Sequence, residues 1–240
     1  MDLIPSLDDQ IAAKRLLDHP FYQRWTAGTL STEELREYAR QYYHYALAFP
    51  TFLSAMHAQC DDLATRQAIL ENLIEEERGA DNHPELWLRF CEALGLDRDE
   101  VKRGDANEST QKLIGTMKSL AREGALHEGL AALYAYESQI PGVAKAKIDG
   151  LAKWYDVSEV TFFRVHMDAD IVHSATSRHL LTRLCNDDAK RGEASHAVAS
   201  TLVALYGFLD ACVIPSERSE SRDPHRKIEE DPPTRFARSG

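Results

Sequence analysis

The chain reads as all-α, a single bundle of about seven helices. Apolar side chains recur at three- and four-residue spacing along most of its 240 residues. No stretch of four to eight β-branched residues alternates with period two, so strand signals are nearly absent. Hydrophobic residues make up 43% and charged residues 28%, with 12 Gly and 9 Pro, ordinary usage for one globular domain with one core.

Taken in order, the first clear helix opens at Ser31-x-x-Glu34, a capping box. Behind it Tyr38, Tyr42, Tyr45 and Leu47 follow at helical spacing, and Pro50 is expected to kink or break the run before Phe52 to Met56 resume it. Residues 62–78 repeat apolar positions at Ala64, Ile69, Leu70, Leu73 and Ile74. Residues 84–94 form the next helix, with Pro84 suited to its first turn and Gly95 to its stop. Asp97 to Ser109 reads as a polar connection, followed by a short helix over 110–122. Three long segments close the domain, 126–153, 157–185 and 188–212, and Pro141-Gly142 is expected to bend the first. The domain is assigned to 1–214. Residues 215–240 are rich in Ser, Arg, Glu and Pro and read as a disordered tail, unable to bury enough surface to order.

Charge and cysteine usage narrow the setting. The formal charge is −11, and the segment from Pro215 onward is neutral, so the whole excess lies on 1–214. A domain that acidic repels phosphate backbones and anionic lipid, which argues against nucleic acid and membrane as partners. No apolar run approaches the roughly 20 residues of a membrane span. The start, Met1-Asp2-Leu3-Ile4-Pro5, lacks a secretory pattern. Cys60, Cys91, Cys185 and Cys212 are far apart with no C-x-x-C pair, which fits a reduced cytoplasm.

Phosphate loops, nucleophile elbows and H-E-x-x-H are missing. What remains is His and carboxylate on helices. His166, Asp170 and His173 fall within roughly 60° on one helix face, a chelate for a divalent transition metal or, equally on spacing alone, a polar face touching solvent. Glu76 and His83 share a face too, but on an unbroken helix they stand about 10.5 Å apart along the axis; a distortion at Gly79 or before Pro84 is needed to bring them together. Without it, Glu75-Glu76-Glu77 is a solvated acidic patch. Glu137 follows Leu133-Tyr-Ala-Tyr136, where an unpaired carboxylate is costly to bury and needs a cation, a metal or a proton. Glu193-Ala-Ser-His196 has the Glu-x-x-His spacing of di-iron bundles, but it stands alone beside Lys190 and Arg191 and reads as a solvent face.

The stretches His19-Pro-Phe-Tyr22-x-x-Trp25, Ala48-Phe-Pro50-x-x-Leu53-Ser-Ala55, Cys60-Asp-Asp-Leu63, Leu133-Tyr-Ala-Tyr-Glu137-Ser-Gln-Ile-Pro141 and Leu205-Tyr-Gly-Phe-Leu-Asp210 resemble the chlamydial death-domain-associating protein family. That family belongs to the haem-oxygenase-like helical fold, alongside thiaminase II and pyrroloquinoline-quinone synthase relatives. The likeness runs from residue 7 to residue 212. It implies an oxygen-activating dinuclear metal site whose ligands fall on Glu76, His83, Glu137, His166, Asp170 and His173, all of the expected residue type. Two iron ions, or iron with manganese, are the implied cofactor, with O2 and an external reductant as co-substrates.

The resemblance also implies a reaction: 4-aminobenzoate made for folate biosynthesis by cleaving the protein's own tyrosine, with nitrogen taken from its own lysine. The matching residues are Tyr22 and Lys147. Read alone, Tyr22 is a core aromatic and Lys147 a surface charge. Dimeric relatives imply a homodimer. Two alternatives accompany this reading: a non-enzymatic module that binds a partner protein, and thiaminase II-like hydrolysis, which needs a cysteine nucleophile and no metal.

Overall fold

The computed structural model describes residues 2–213; the segment read above as a tail, 215–240, lies outside them. Among the described residues there are eleven α-helices and no strand: α1 (Leu3–Ala13), α2 (Pro20–Ala27), α3 (Thr32–Gln59), α4 (Leu63–Glu77), α5 (His83–Ala93), α6 (Arg98–Arg103), α7 (Glu108–Arg122), α8 (Leu126–Glu137), α9 (Ile140–Gly150), α10 (Thr161–Leu184) and α11 (Asp188–Val213). The class is as the sequence predicts, while the count exceeds seven for local reasons. Two short helices precede Ser31, and Asp97 caps the six-residue α6 within the expected connection by accepting from the Asp99 and Glu100 amides. The run 126–153 divides at Ser138–Gln139, and Pro141 sits in the first turn of α9, where its missing N–H costs nothing.

Capping fixes the other ends. Ser31 and Glu34 complete the capping box, and Arg24 clamps Glu34 at 2.6 and 2.8 Å. Asp62 caps α4 through the Thr65 amide and Asn82 caps α5 through the Glu85 amide. Gly95 takes φ +76° just past α5. Pro50 does not break the run: α3 continues through it to Gln59. One lost backbone hydrogen bond, at a cost of about 3 kcal/mol, is outweighed because Phe49, Phe52 and Leu53 on either side are buried in the main core. Each such side chain contributes roughly 1.5–3 kcal/mol.

α3 packs against α4, α5 and α7, and α10 against α5, α8 and α9; α8 meets α7, α10 and α11. That leaves α8 buried from Gly129 through Glu137. A second apolar cluster joins α1 to α8, α10 and α11. α11 is long and apolar enough to cross a membrane by length and composition, contrary to the sequence expectation, but half of its most apolar stretch is buried inside the protein. Its apolar character serves the core.

Candidate metal centre

Glu76 and His83 meet because α4 ends one residue after Glu76. Gly79, at φ +85°, turns the chain in a conformation L side chains avoid, and His83 opens α5. The distance that a continuous helix imposes is removed: His83 Nδ1 stands 2.7 Å from Glu76 Oε2. From α10, His166 Nε2 approaches Glu76 Oε1 to 4.0 Å. Its Nδ1 is held by the Phe162 carbonyl at 2.8 Å, which orients the ring with Nε2 inward.

One turn further along α10, Asp170 and His173 face Glu137 from the end of α8. The six residues form two triads, Glu76–His83–His166 and Glu137–Asp170–His173, with one donor atom of each member within 4.8 Å of the others in its triad. Asp170 also lines the small cavity at the first triad and so adjoins both. The shared face of α10 is therefore used twice, a division that spacing along one helix cannot reveal. Asn72, which the sequence reading missed, donates to Glu137 Oε1 at 3.0 Å; its position one turn before Glu76 on α4 is the signal that was available.

The donors are short of partners. Glu137 Oε2, Asp170 Oδ2 and His83 Nδ1 are buried without a hydrogen bond, so the 2.7 Å approach of His83 to Glu76 lacks hydrogen-bond geometry. Burial, reinforced by Asp170, pushes the Glu137 carboxyl well above the carboxylate range. Burial also raises Asp170. His166 is held far below an ordinary imidazole by burial and by His83. For His173 burial opposes the charged ring, but the hydrogen bond to Asp170 and the charges of Glu137, Asp170 and Glu75 prevail and raise it to about 9. Buried, unpartnered N and O donors converging from four helices fit hard or borderline divalent cations. Three carboxylates would offset most of the charge of two such ions.

Tyr22 and Lys147 lie elsewhere in the same core. Lys147 Nζ is 5.6 Å from the Tyr22 ring centroid and 2.5 Å from Tyr38 Oη, to which it donates. Both are buried, against the surface reading of Lys147. Tyr22 does not line the small cavity at the first triad. The Tyr38 and Tyr42 rings, 5.6 Å apart, and Phe162, 4.1 Å from the His166 ring, stand between the two sites. Burial lowers the Lys147 ammonium to about 7 and raises the Tyr22 phenol. The solvent-face reading of Glu193 and His196 holds, both being exposed, and Glu193 also pairs with His127 at 2.8 Å.

Residues 36–207 match the family of iron-containing redox enzymes. The chain belongs to that family. It is a metal-dependent oxidoreductase with the haem-oxygenase-like fold. Among relatives, it is 40% identical over 220 residues to the 4-aminobenzoate synthase of Chlamydia muridarum, covering 90% of this chain and 92% of that protein. It is 41% identical over 216 residues to the 4-aminobenzoate synthase of Nitrosomonas europaea, covering 85% and 88%. A solved haem-oxygenase-like domain of unknown function from Shewanella denitrificans superposes with a TM-score of 0.76 at 18% identity, covering 87% of this chain and 91% of that one. In this family member no cysteine belongs to either triad, and all four are buried. Burial pushes the Cys91 thiol up to about 12 and raises Cys185 and Cys212. Burial of this kind makes those three thiols poor nucleophiles, which weighs against a cysteine-dependent hydrolase at any of them.

Proposed function

We propose that the chain makes 4-aminobenzoate, taking the ring from its own Tyr22 and the nitrogen from its own Lys147, at the expense of O2 and an external reductant. In this reading Glu76, His83 and His166 hold one metal ion, and Glu137, Asp170 and His173 hold the other. The pair is two irons or iron with manganese. When bound, it supplies one-electron oxidising power drawn from O2.

The observation that carries the reading is the Lys147–Tyr22 pocket. An amine with its pKa lowered to about 7 is half unprotonated near neutrality, which makes it a nucleophile where an ordinary lysine is not. It stands over the ring to be aminated. The Tyr22 phenol keeps its proton because of burial, so its oxidation requires that the proton leave. Tyr38, in contact with Tyr22 and accepting from Lys147 Nζ at 2.5 Å, holds the two reacting groups against each other. The surrounding Phe21, Trp25 and Trp87 exclude water, and the pocket holds both reacting groups in place at no binding cost.

Each chain then yields at most one aminobenzoate. Protein expressed with ring-labelled tyrosine and assayed with unlabelled tyrosine is expected to release labelled product, with a ceiling of one per chain. Unlabelled product, or many turnovers per chain, would overturn this. The same reading includes a homodimer, checked by light scattering at micromolar concentration, and a cytoplasmic setting, in keeping with four unpaired cysteines.

A further inference from the structure

The two triads differ in their access to solvent. The cavity beside Glu76, His83 and His166 measures only about 10 Å³, and every residue that lines it is buried, five of them the rings Tyr42, Tyr45, Phe49, Tyr136 and Phe162. Beside the second triad a groove of about 210 Å³ runs between α4, α8 and α10 and ends on His173 and Asn72. Its walls are largely aliphatic, with Leu53, Leu133 and Leu180 among them, and Thr176 and Ser177 add hydroxyls. Its acidic side chains, Glu71 and Glu75, are exposed.

These residues form a graded series. Glu71 and Glu75 lie one above the other on α4, one turn apart, and Asn72 and Glu76 form the parallel inner row. The Glu75 side chain is half exposed, yet its Oε2 reaches His173 Nε2 at 3.0 Å, while His173 Nδ1 faces Asp170 Oδ1 at 3.4 Å. One imidazole thus connects a carboxylate in solvent to a carboxylate in the core. Asn72, more than nine-tenths buried, leaves Oδ1 without a partner where the groove ends, and its amide nitrogen holds Glu137. Apart from the neutral hydroxyls of Thr176 and Ser177, these oxygens and His173 are what the groove offers a cation.

We propose that this groove is the loading route for metal ions: Glu71 and Glu75 capture a hydrated divalent cation, and Asn72 and His173 receive it as it loses water. It rests on the two-ion reading above. The first triad, walled by rings, is then filled from the second across Asp170, which adjoins both. Capture by exposed carboxylates on a low-dielectric rim raises the on-rate and leaves the final affinity to the buried ligands.

The test follows uptake of Mn(II) by the metal-free full-length chain, from the loss of the free-ion electron paramagnetic resonance signal, separating initial rate from final stoichiometry. Glu71→Gln/Glu75→Gln keeps hydrogen-bonding oxygens and removes charge. It is expected to slow uptake about tenfold and to flatten its dependence on salt, with the final ion count unchanged. Ala68→Phe, which fills the groove from α4, is expected to slow uptake at any salt, and Thr176→Phe does the same from α10 should the first variant fail to fold. Glu100→Gln, on distant α6, serves as the charge control and should leave the rate alone. Wild-type rates in both the charge and the plug variants would overturn the route. So would a fall in final stoichiometry at an unchanged initial rate, since Glu75 would then be a ligand. Failure of the wild-type chain to bind two ions at all would instead reject the ligand set.

Discussion

Around Glu137 the bundle buries carboxylates beside imidazoles; around Lys147 it buries one amine among aromatic rings. In the first region each ionisable group has others within 4.8 Å, and the shifts diverge, with Glu137 and Asp170 raised, His173 raised and His166 lowered. In the second, desolvation acts almost alone and drives a single group toward neutrality. A cluster of mixed donors can be satisfied by added positive charge, whereas a lone amine among rings is satisfied only by losing its proton. The first region is suited to holding cations and the second to presenting a nucleophile.

The sharpest way to separate the two regions is Tyr22→Phe. It removes the phenol and little volume, so product formation is expected to fall at least a hundredfold, read by chromatography of aminobenzoate. Bound metal, by elemental analysis, and helical content should be retained. A variant that still forms product would break the link between the Lys147 pocket and the reaction.

Next in size is His173→Ala, which acts on the other region. It takes one donor from the second triad and leaves Glu137 and Asp170 without their cationic neighbour. Most of the bound metal is expected to be lost, while the Lys147 pocket, which contains no member of the triad, keeps its pKa. Full occupancy in this variant would reject the assignment of His173.

Lys147→Met tests desolvation directly. The folded pKa of about 7 lies below the unfolded 10.5, so the unfolded chain binds more protons between those values and stability rises with pH across that window. Below pH 7 the folded protein carries the whole penalty, on the order of 4 kcal/mol. The Met variant, which loses one hydrogen bond to Tyr38, is expected to be more stable than the parent at pH 6, with the gap closing toward pH 10. Urea titrations over that range decide it, and a pH-independent gap would contradict a desolvated amine.

The smallest effect is expected for Glu137→Gln in metal-free protein. Its folded pKa is raised, so the folded state binds the extra proton and stability falls as pH rises from the ordinary carboxylate range through the shifted value. The Gln variant keeps an acceptor for Asn72 and loses that slope, so it is expected to be more stable than the parent at pH 8–9, with the gap closing toward pH 5. Equal slopes in melts across pH would show that Glu137 is not desolvated without a cation.

Much of this was legible in the chain itself. Helical periodicity, the Ser31–Glu34 box, and Pro84 and Gly95 at the start and stop of α5 are local, because a helix and its ends are decided by residues within a turn of each other. The common face of His166, Asp170 and His173 was likewise legible, since 100° per residue places them there whatever surrounds the helix. The burial of Glu137 was implied by its apolar neighbours. The short helix after Asp97 and the division at Ser138–Gln139 were not, because they turn on one or two hydrogen bonds that sequence spacing does not rank.

What the tertiary structure alone decided is which groups meet. Periodicity could not say that α4 stops at Glu77, so that Glu76 and His83 oppose each other across a turn. Nor could it divide α10 between two triads, since each division depends on partners from α4, α5 and α8. Lys147 carries the strongest lesson. In sequence it is one of two lysines in Lys145-Ala-Lys147, chemically alike; in the fold Lys145 pairs with Asp149 in solvent and Lys147 lies among rings from α2, α3, α5 and α10. A charge becomes a nucleophile only through the low dielectric that surrounds it, and that environment is assembled from segments more than a hundred residues apart.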